Sequence, residues 1–150
     1  MELILWRHAE AEDGSPDMER ALTAKGRKQA ARMAEWLDRA LPQHCRILVS
    51  PALRALQTAQ ALDRKFKTLP ALAPDSGAVQ VLKACHWPDS REPVLVVGHQ
   101  PTLGRIAALL IAGSEQDWTL RKANICWITQ KKDEQASAPS LRAILGPDLA

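Results

Sequence analysis

Arginine and histidine recur in this sequence at one kind of place, the downstream end of a short apolar run. Arg7 and His8 follow Leu3-Ile4-Leu5-Trp6, Arg54 lies a few residues beyond Arg46-Ile47-Leu48-Val49-Ser50, and His99 closes Val94-Leu95-Val96-Val97-Gly98. A guanidinium presents a planar fork of donors matched to phosphate or carboxylate oxygens. A neutral imidazole nitrogen in line with phosphorus can displace a leaving group and carry the phosphoryl group until water removes it. A second imidazole, donating to an equatorial oxygen, would stabilise the crowded transition state. Chemistry of this kind rests on position and charge. Cationic side chains then supply what magnesium supplies elsewhere, so neither a metal nor another cofactor is expected. Taken singly, His99 is also readable as a core histidine and Arg54 as a helix-surface charge. Their shared placement at strand ends argues for one pocket.

That placement depends on the elements around it. Apolar runs of this length, without helical spacing, read as buried strands of a parallel sheet covered by helices. Ligands of such sheets bind beyond the carboxyl ends of the strands. Residues 11–20 read as a polar loop containing Gly14, Ser15 and Pro16. Thr23 is a fitting N-cap for a helix whose Ala30, Met33, Ala34, Leu37 and Leu41 make one apolar face, ended by Pro42. A second helix is expected directly after Pro51, with Ala52, Ala55, Leu56, Ala59, Leu62 and Phe66 as its buried stripe and Arg54 in its first turn. Residues 67–77 read as loop, 78–85 as a short helix and 88–93 as a second loop. Pro101 suits the first turn of a helix that buries Leu103, Ile106, Ala107 and Leu110 and stops at Gly113. Residues 123–130 read as a strand, 131–137 as a polar turn and 140–145 as a last strand. The alternation predicts one α/β domain over residues 1–150, three layers deep, with a mostly parallel central sheet flanked by helices.

Composition agrees with that picture. A chain of 150 residues, 46% hydrophobic and 25% charged, has the make-up of a globular protein able to bury a core. Its net charge of +3 is too small to argue for nucleic acid, and no segment approaches the length of a membrane span. The start carries Glu2 and a strand-like run, without the basic start and cleavage site expected of a signal peptide. Cys45, Cys85 and Cys126 cannot all pair within one chain and show no CxxC spacing, so a reducing cytoplasm is expected. Cysteine adjoins histidine at His44-Cys45 and Cys85-His86, but no further ligands stand at finger-like spacing. Trp36 and Trp127 read as core; Trp87 either lines a pocket mouth or caps an apolar edge.

These residues resemble a known family. Arg7-His8-Ala9-Glu10 after a strand is similar to the Arg-His-Gly signature of the histidine phosphatase superfamily, which has the phosphoglycerate-mutase-like fold. Leu22-Thr23-Ala24-Lys25-Gly26-Arg27-Lys28-Gln29-Ala30 resembles its first-helix motif. Ser50-Pro51-Ala52-Leu53-Arg54-Ala55-Leu56-Gln57-Thr58-Ala59 resembles its second signature, and Val97-Gly98-His99-Gln100-Pro101 its third. The resemblance runs from about residue 3 to residue 113, and the chain's length matches the small SixA-type branch of phosphohistidine phosphatases.

The resemblance implies His8 as nucleophile, Arg7 and Arg54 as phosphate ligands, His99 as the second pocket histidine and Arg20 as an additional phosphate-binding arginine. It also exposes two departures. Ala9 stands where glycine is usual. The carboxylate proton donor of the larger phosphatases has no matching motif, leaving Asp75 and Glu10 as candidates. An alkoxide leaving group needs a proton badly, whereas the imidazole of phosphohistidine has near-neutral basicity and is protonated beforehand. Short loops without a lid further favour an open pocket that accepts a phosphorylated side chain of another protein. The expected partner is therefore a phosphohistidine-containing signalling protein, such as a histidine phosphotransfer domain, with inorganic phosphate as product. A broad phosphatase for small phosphate esters and a non-catalytic phosphate-binding module are the alternatives. Neither nucleic acid nor membrane is an expected partner.

Overall fold

The structure, a computed structural model, describes residues 1–132 and 137–150; the turn expected at 131–137 lies mostly outside the described residues. Strands are β1 (Glu2–Arg7), β2 (Arg46–Val49), β3 (Lys67–Thr68), β4 (Val94–Gly98), β5 (Ile125–Thr129) and β6 (Ser140–Leu145). Helices are α1 (Ala24–Ala40), α2 (Leu53–Gln60), α3 (Ala78–Ala84) and α4 (Thr102–Ala112). The strands form one sheet in the order β3-β2-β4-β1-β5-β6. Pairings β3-β2, β2-β4 and β4-β1 are parallel, while β5 and β6 extend the sheet antiparallel.

Alternation along each central strand sends side chains to two cores. Ile4, Trp6, Ile47, Val49, Leu95 and Val97 face α1 and α2. Leu3, Leu5, Leu48, Val94 and Val96 face α3 and α4. This is the expected three-layer α/β domain. Thr23 caps α1, its hydroxyl accepting from the Gly26 amide at 2.9 Å, and Gly113 ends α4 in the left-handed conformation at φ 85°. Gly26 is needed for proximity: a Cβ there would sit 2.0 Å from the Glu10 carbonyl oxygen. The start of α1 is thereby pressed against the segment that follows His8.

Two expectations need correction, and the choice left open for Trp87 is settled in favour of the apolar edge. The second helix ends at Gln60, so Leu62 and Phe66 are not on it. The amides of Ala61, Leu62 and Asp63 turn to carbonyls three residues back, and Asp63 is left-handed at φ 52°. Leu62 is still buried and Phe66 packs against the same core. Residues 67–77 are not all loop: Lys67–Thr68 pair with Leu48 and Val49, and Pro70–Leu72 make a 3-10 turn. Both residues of β3 are exposed and polar, so no apolar alternation marks them. Trp87 packs on the core beside α3 and α4 and does not line the cleft described below. Trp127 is buried and meets the half-buried Trp36 edge-on at 6.4 Å.

Candidate active site

Sheet register brings the chemistry to one edge. Arg7 is level with Gly98, and Val49 with Val97, so β1, β2 and β4 end together. The pairing continues one residue past the strands. The His8 amide donates to the Gly98 carbonyl and the Ser50 amide to the Val97 carbonyl, both at 3.0 Å. His8, Ser50 and His99 are therefore set by backbone, and α2 begins at once to deliver Arg54. A cleft of about 450 Å³ opens there, lined by Arg7, His8, Arg20, Arg54, Asp75 and His99 among others.

Side-chain and backbone hydrogen bonds together hold the segments that carry these residues. His8 is buried, and its Nδ1 lies 2.7 Å from the Ala9 carbonyl oxygen. A carbonyl only accepts, so Nδ1 carries the proton and Nε2 keeps the lone pair. The Ala9 amide donates to Thr58 Oγ1 at 3.0 Å, and that hydroxyl donates to the Arg54 carbonyl at 2.7 Å. Thr58 thus ties the His8 segment to the helix that carries Arg54. Arg7 donates through Nη1 to the Leu120 carbonyl at 2.9 Å, and the Ala123 amide donates to the His8 carbonyl at 3.1 Å. Ala9 is fully buried and does not adopt positive φ, so the missing glycine costs the backbone nothing.

Three buried side-chain nitrogens lack partners among the described residues: Arg7 Nε, Arg54 Nε and His99 Nδ1. Buried polar groups are normally satisfied, and leaving one unmet costs about 1–3 kcal/mol. All three belong to residues lining the one cleft, where an oxyanion would satisfy them. The His8 and His99 rings stand with centroids 5.1 Å apart.

Burial is the main cause of low basicity in both rings, and the neighbouring arginines add to it. His8 is pushed down to about 4 and His99 to about 3. Both are neutral at pH 7, as a nucleophile and a tautomer-defined donor require. The acid limb of kcat/KM, which reports the free enzyme, is expected near pH 4; a limb near 6.5 would contradict a buried nucleophile. Stability has the same origin. The unfolded histidines take up protons below about 6.5 while the folded ones do not. The contribution of these neutral rings is therefore complete above that pH and is lost as pH falls through the folded values. Denaturant titrations at successive pH values read this loss.

Arg54 is almost fully buried, yet its partners are at the surface. Its Nη1 donates to the Asp17 carbonyl at 2.8 Å and its Nη2 to Asp17 Oδ2 at 3.1 Å. Arg20 donates through Nε to Asp17 Oδ1 at 3.0 Å and through Nη1 to the Glu12 carbonyl at 3.0 Å. Hydrogen bonding from Arg54 holds the Asp17 carboxyl below its ordinary range. An exposed carboxylate therefore bridges two of the arginines that an incoming phosphoryl group would use. Asp17→Asn is expected to tighten vanadate binding about fivefold, since a screened surface pair is worth roughly 1 kcal/mol. Weaker binding would mean that Asp17 orients Arg54 rather than competing for it.

The cleft gathers every site residue expected from the sequence except Glu10. Asp75 stands exposed at the rim, left-handed at φ 70°. Glu10 turns away: its Oε2 accepts from the Thr23 hydroxyl at 2.9 Å, and it lines a neighbouring groove with Lys25 and Lys122. Sequence reading missed Asp17, Thr58 and the backbone clamp from Leu120 and Ala123. Asp17 opens a 3-10 turn, Asp17–Glu19, too short to show periodicity, inside the stretch expected as a polar loop, and the clamp works through backbone groups, which leave no residue-type signal. Cys85 and Cys126 are buried and Cys45 half-buried, with burial raising their thiols to about 12, 11 and 11 respectively. Among the described residues no group of His, Cys, Asp and Glu side chains is placed to hold a metal, and no helix is long and apolar enough to cross a membrane.

Comparison with known proteins gives a consistent result. Residues 3–75 match the family model of the histidine phosphatase superfamily (branch 1). The phosphohistidine phosphatase SixA of Escherichia coli is 34% identical over 122 residues, spanning 75% of this chain and 76% of that protein. A SixA homologue of Haemophilus influenzae is 33% identical, spanning 73% and 77%. Among solved structures, the protein histidine phosphatase SixA complexed with tungstate superposes with a TM-score of 0.83 at 27% identity, covering 99% of this chain and 98% of that one. A phosphoserine phosphatase of Entamoeba histolytica shares the fold at 18% identity, with a TM-score of 0.70 and 95% coverage of both chains.

Proposed function

The chain belongs to the histidine phosphatase superfamily, as a phosphatase of the SixA type, and on that premise we propose that it removes the phosphoryl group from phosphohistidine on a signalling protein. The observation that carries this reading is the trio of buried nitrogens without a partner among the described residues, Arg7 Nε, Arg54 Nε and His99 Nδ1, on residues that line the cleft with His8. A relative of the same fold binds tungstate, a tetrahedral oxyanion of phosphate's shape.

The reaction runs in two displacements. With the phosphoryl oxygens on Arg7, Arg54 and Arg20, His8 Nε2 attacks phosphorus and the substrate's P–N bond breaks. The substrate imidazole, already protonated on its other nitrogen, leaves neutral and needs no acid from the enzyme. His8 now carries the phosphoryl group on Nε2, with Nδ1–H still directed to the Ala9 carbonyl, which favours the cationic ring. Water then attacks, the P–N bond to His8 breaks, and dihydrogen phosphate departs. His8 returns to its neutral form with the same proton on Nδ1. His99 donates from Nδ1 to the equatorial oxygens in both steps, and the arginines offset their charge.

The open cleft, with its candidate acid Asp75 exposed at the rim, favours a protein-borne phosphoramidate over a small ester. The chain acts as one catalytic domain over residues 1–150, in the cytoplasm, where phosphorylated signalling proteins reside. A reading as a phosphomonoesterase depends on Asp75, the candidate acid that does line the cleft. Turnover of a phosphorylated histidine phosphotransfer domain, set beside p-nitrophenyl phosphate with EDTA present, separates the two. A kcat/KM at least about 100-fold higher on the phosphoprotein is expected. Faster turnover of the ester, abolished by Asp75→Asn, would replace this proposal.

A further inference from the structure

We propose that Ser50 is a positioning residue that fixes the tautomer of His99 and so turns its Nδ1–H toward the phosphoryl group. Ser50 is fully buried where β2 ends, and its Oγ lies 2.7 Å from His99 Nε2. The same oxygen accepts the Ala52 amide at 3.2 Å, at the start of α2. The oxygen keeps a second lone pair, but among the described residues its hydroxyl proton has one acceptor within reach, His99 Nε2. A nitrogen that accepts bears no proton, so in a neutral ring the proton sits on Nδ1. The ring is kept neutral by burial among arginines. Nδ1 is buried without a partner among the described residues, on a ring that lines the cleft.

The opposite tautomer would aim a bare lone pair at an anion's oxygen. That swaps an attraction for a repulsion at the site where charge develops. Strand pairing makes the arrangement stiff, because the Ser50 amide donates to the Val97 carbonyl at 3.0 Å, two residues before His99. Pro51 and the turn into α2 then aim the Ala52 amide back at Ser50. The Ser-Pro step between strand and helix is thus a device for orienting a proton on the neighbouring strand. The inference rests on the reading of the cleft as a phosphoryl site, but it concerns an atom that can be observed without substrate.

The test uses the full chain, labelled with nitrogen-15, in long-range proton–nitrogen spectra of the histidine rings at pH 7. His99 signals are assigned by their loss in His99→Gln. Wild type is expected to show His99 protonated on Nδ1. Ser50→Ala should move it toward the Nε2-protonated form, weaken vanadate binding about tenfold or more and lower kcat, as loss of one oriented donor does. Ser50→Thr, which keeps the hydroxyl, should restore both. If the added methyl prevents that variant from folding, the tautomer in Ser50→Ala decides alone. A His99 that stays on Nδ1 in Ser50→Ala, with vanadate affinity within twofold of wild type, would overturn the proposal. So would wild-type His99 protonated on Nε2. A purely structural Ser50 would lower the melting temperature and leave the tautomer in place. Failure of wild type to hydrolyse phosphohistidine would count against the proposed function, while the spectra still report on Ser50.

Discussion

His8→Ala is expected to lose at least about 10⁴-fold in kcat toward phosphohistidine while remaining folded. Removing the nucleophile of a covalent mechanism removes the intermediate itself, and losses of this order or larger are normal for such residues. Folding should survive because the ring borders an open cleft. Among the described residues its Nδ1 bonds only to the adjacent Ala9 carbonyl, and the segment's backbone is held separately by Gly98, Ala123 and Thr58. Circular dichroism and melting, read beside a single-turnover assay, separate lost chemistry from lost structure. Turnover within about tenfold of wild type would remove His8 from its role.

Arg54→Ala carries the next largest effect, about 10²–10³-fold weaker vanadate binding with a comparable fall in kcat/KM. Arg54 contributes a buried positive charge and an unpartnered Nε. Arg54→Lys should recover only part of the loss, because an ammonium is a point charge without the planar fork. The variants also leave a structural signature. Asp17 loses its main hydrogen-bond donor, so its carboxyl should titrate nearer the ordinary range. Unchanged oxyanion affinity in Arg54→Ala, measured by calorimetry, would show that the anion sits elsewhere.

The site was legible where residue type and strand end coincide. Arg7, His8 and His99 each follow an apolar run whose backbone groups must pair, and Arg54 rides on the helix that Pro51 starts. Parallel pairing then aligns the ends with no further instruction. Family resemblance supplied Arg20, which no periodicity marks. Asp17 escaped because a surface carboxylate looks alike whether it is solvated or bridging two guanidinium groups. Thr58 and Ser50 escaped for another reason: a hydroxyl can pair with almost any neighbour, so its role is fixed only by three-dimensional contact. In the fold, β3 was missed because two exposed residues give no alternation, and α2 was drawn too long because Leu62 and Phe66 stay in the core after the helix has ended. Burial continues the stripe where the backbone does not.

One contrast sets this cleft apart from a simple anion hole. Asp17 engages Nη1 and Nη2 of Arg54, while Arg54 Nε and His99 Nδ1 have no partner among the described residues. An anion that draws Arg54 away from Asp17 would exchange an internal ion pair for an external one and satisfy a polar atom in the same step.

The covalent step is most directly tested by mixing the enzyme with a ³²P-labelled phosphohistidine protein, quenching in alkali within one turnover, and mapping the label by peptide sequencing. Label on His8 alone, acid-labile and absent from His8→Ala, is the expected result. Phosphate released at full rate with no labelled enzyme, or with label on any other residue, would contradict it.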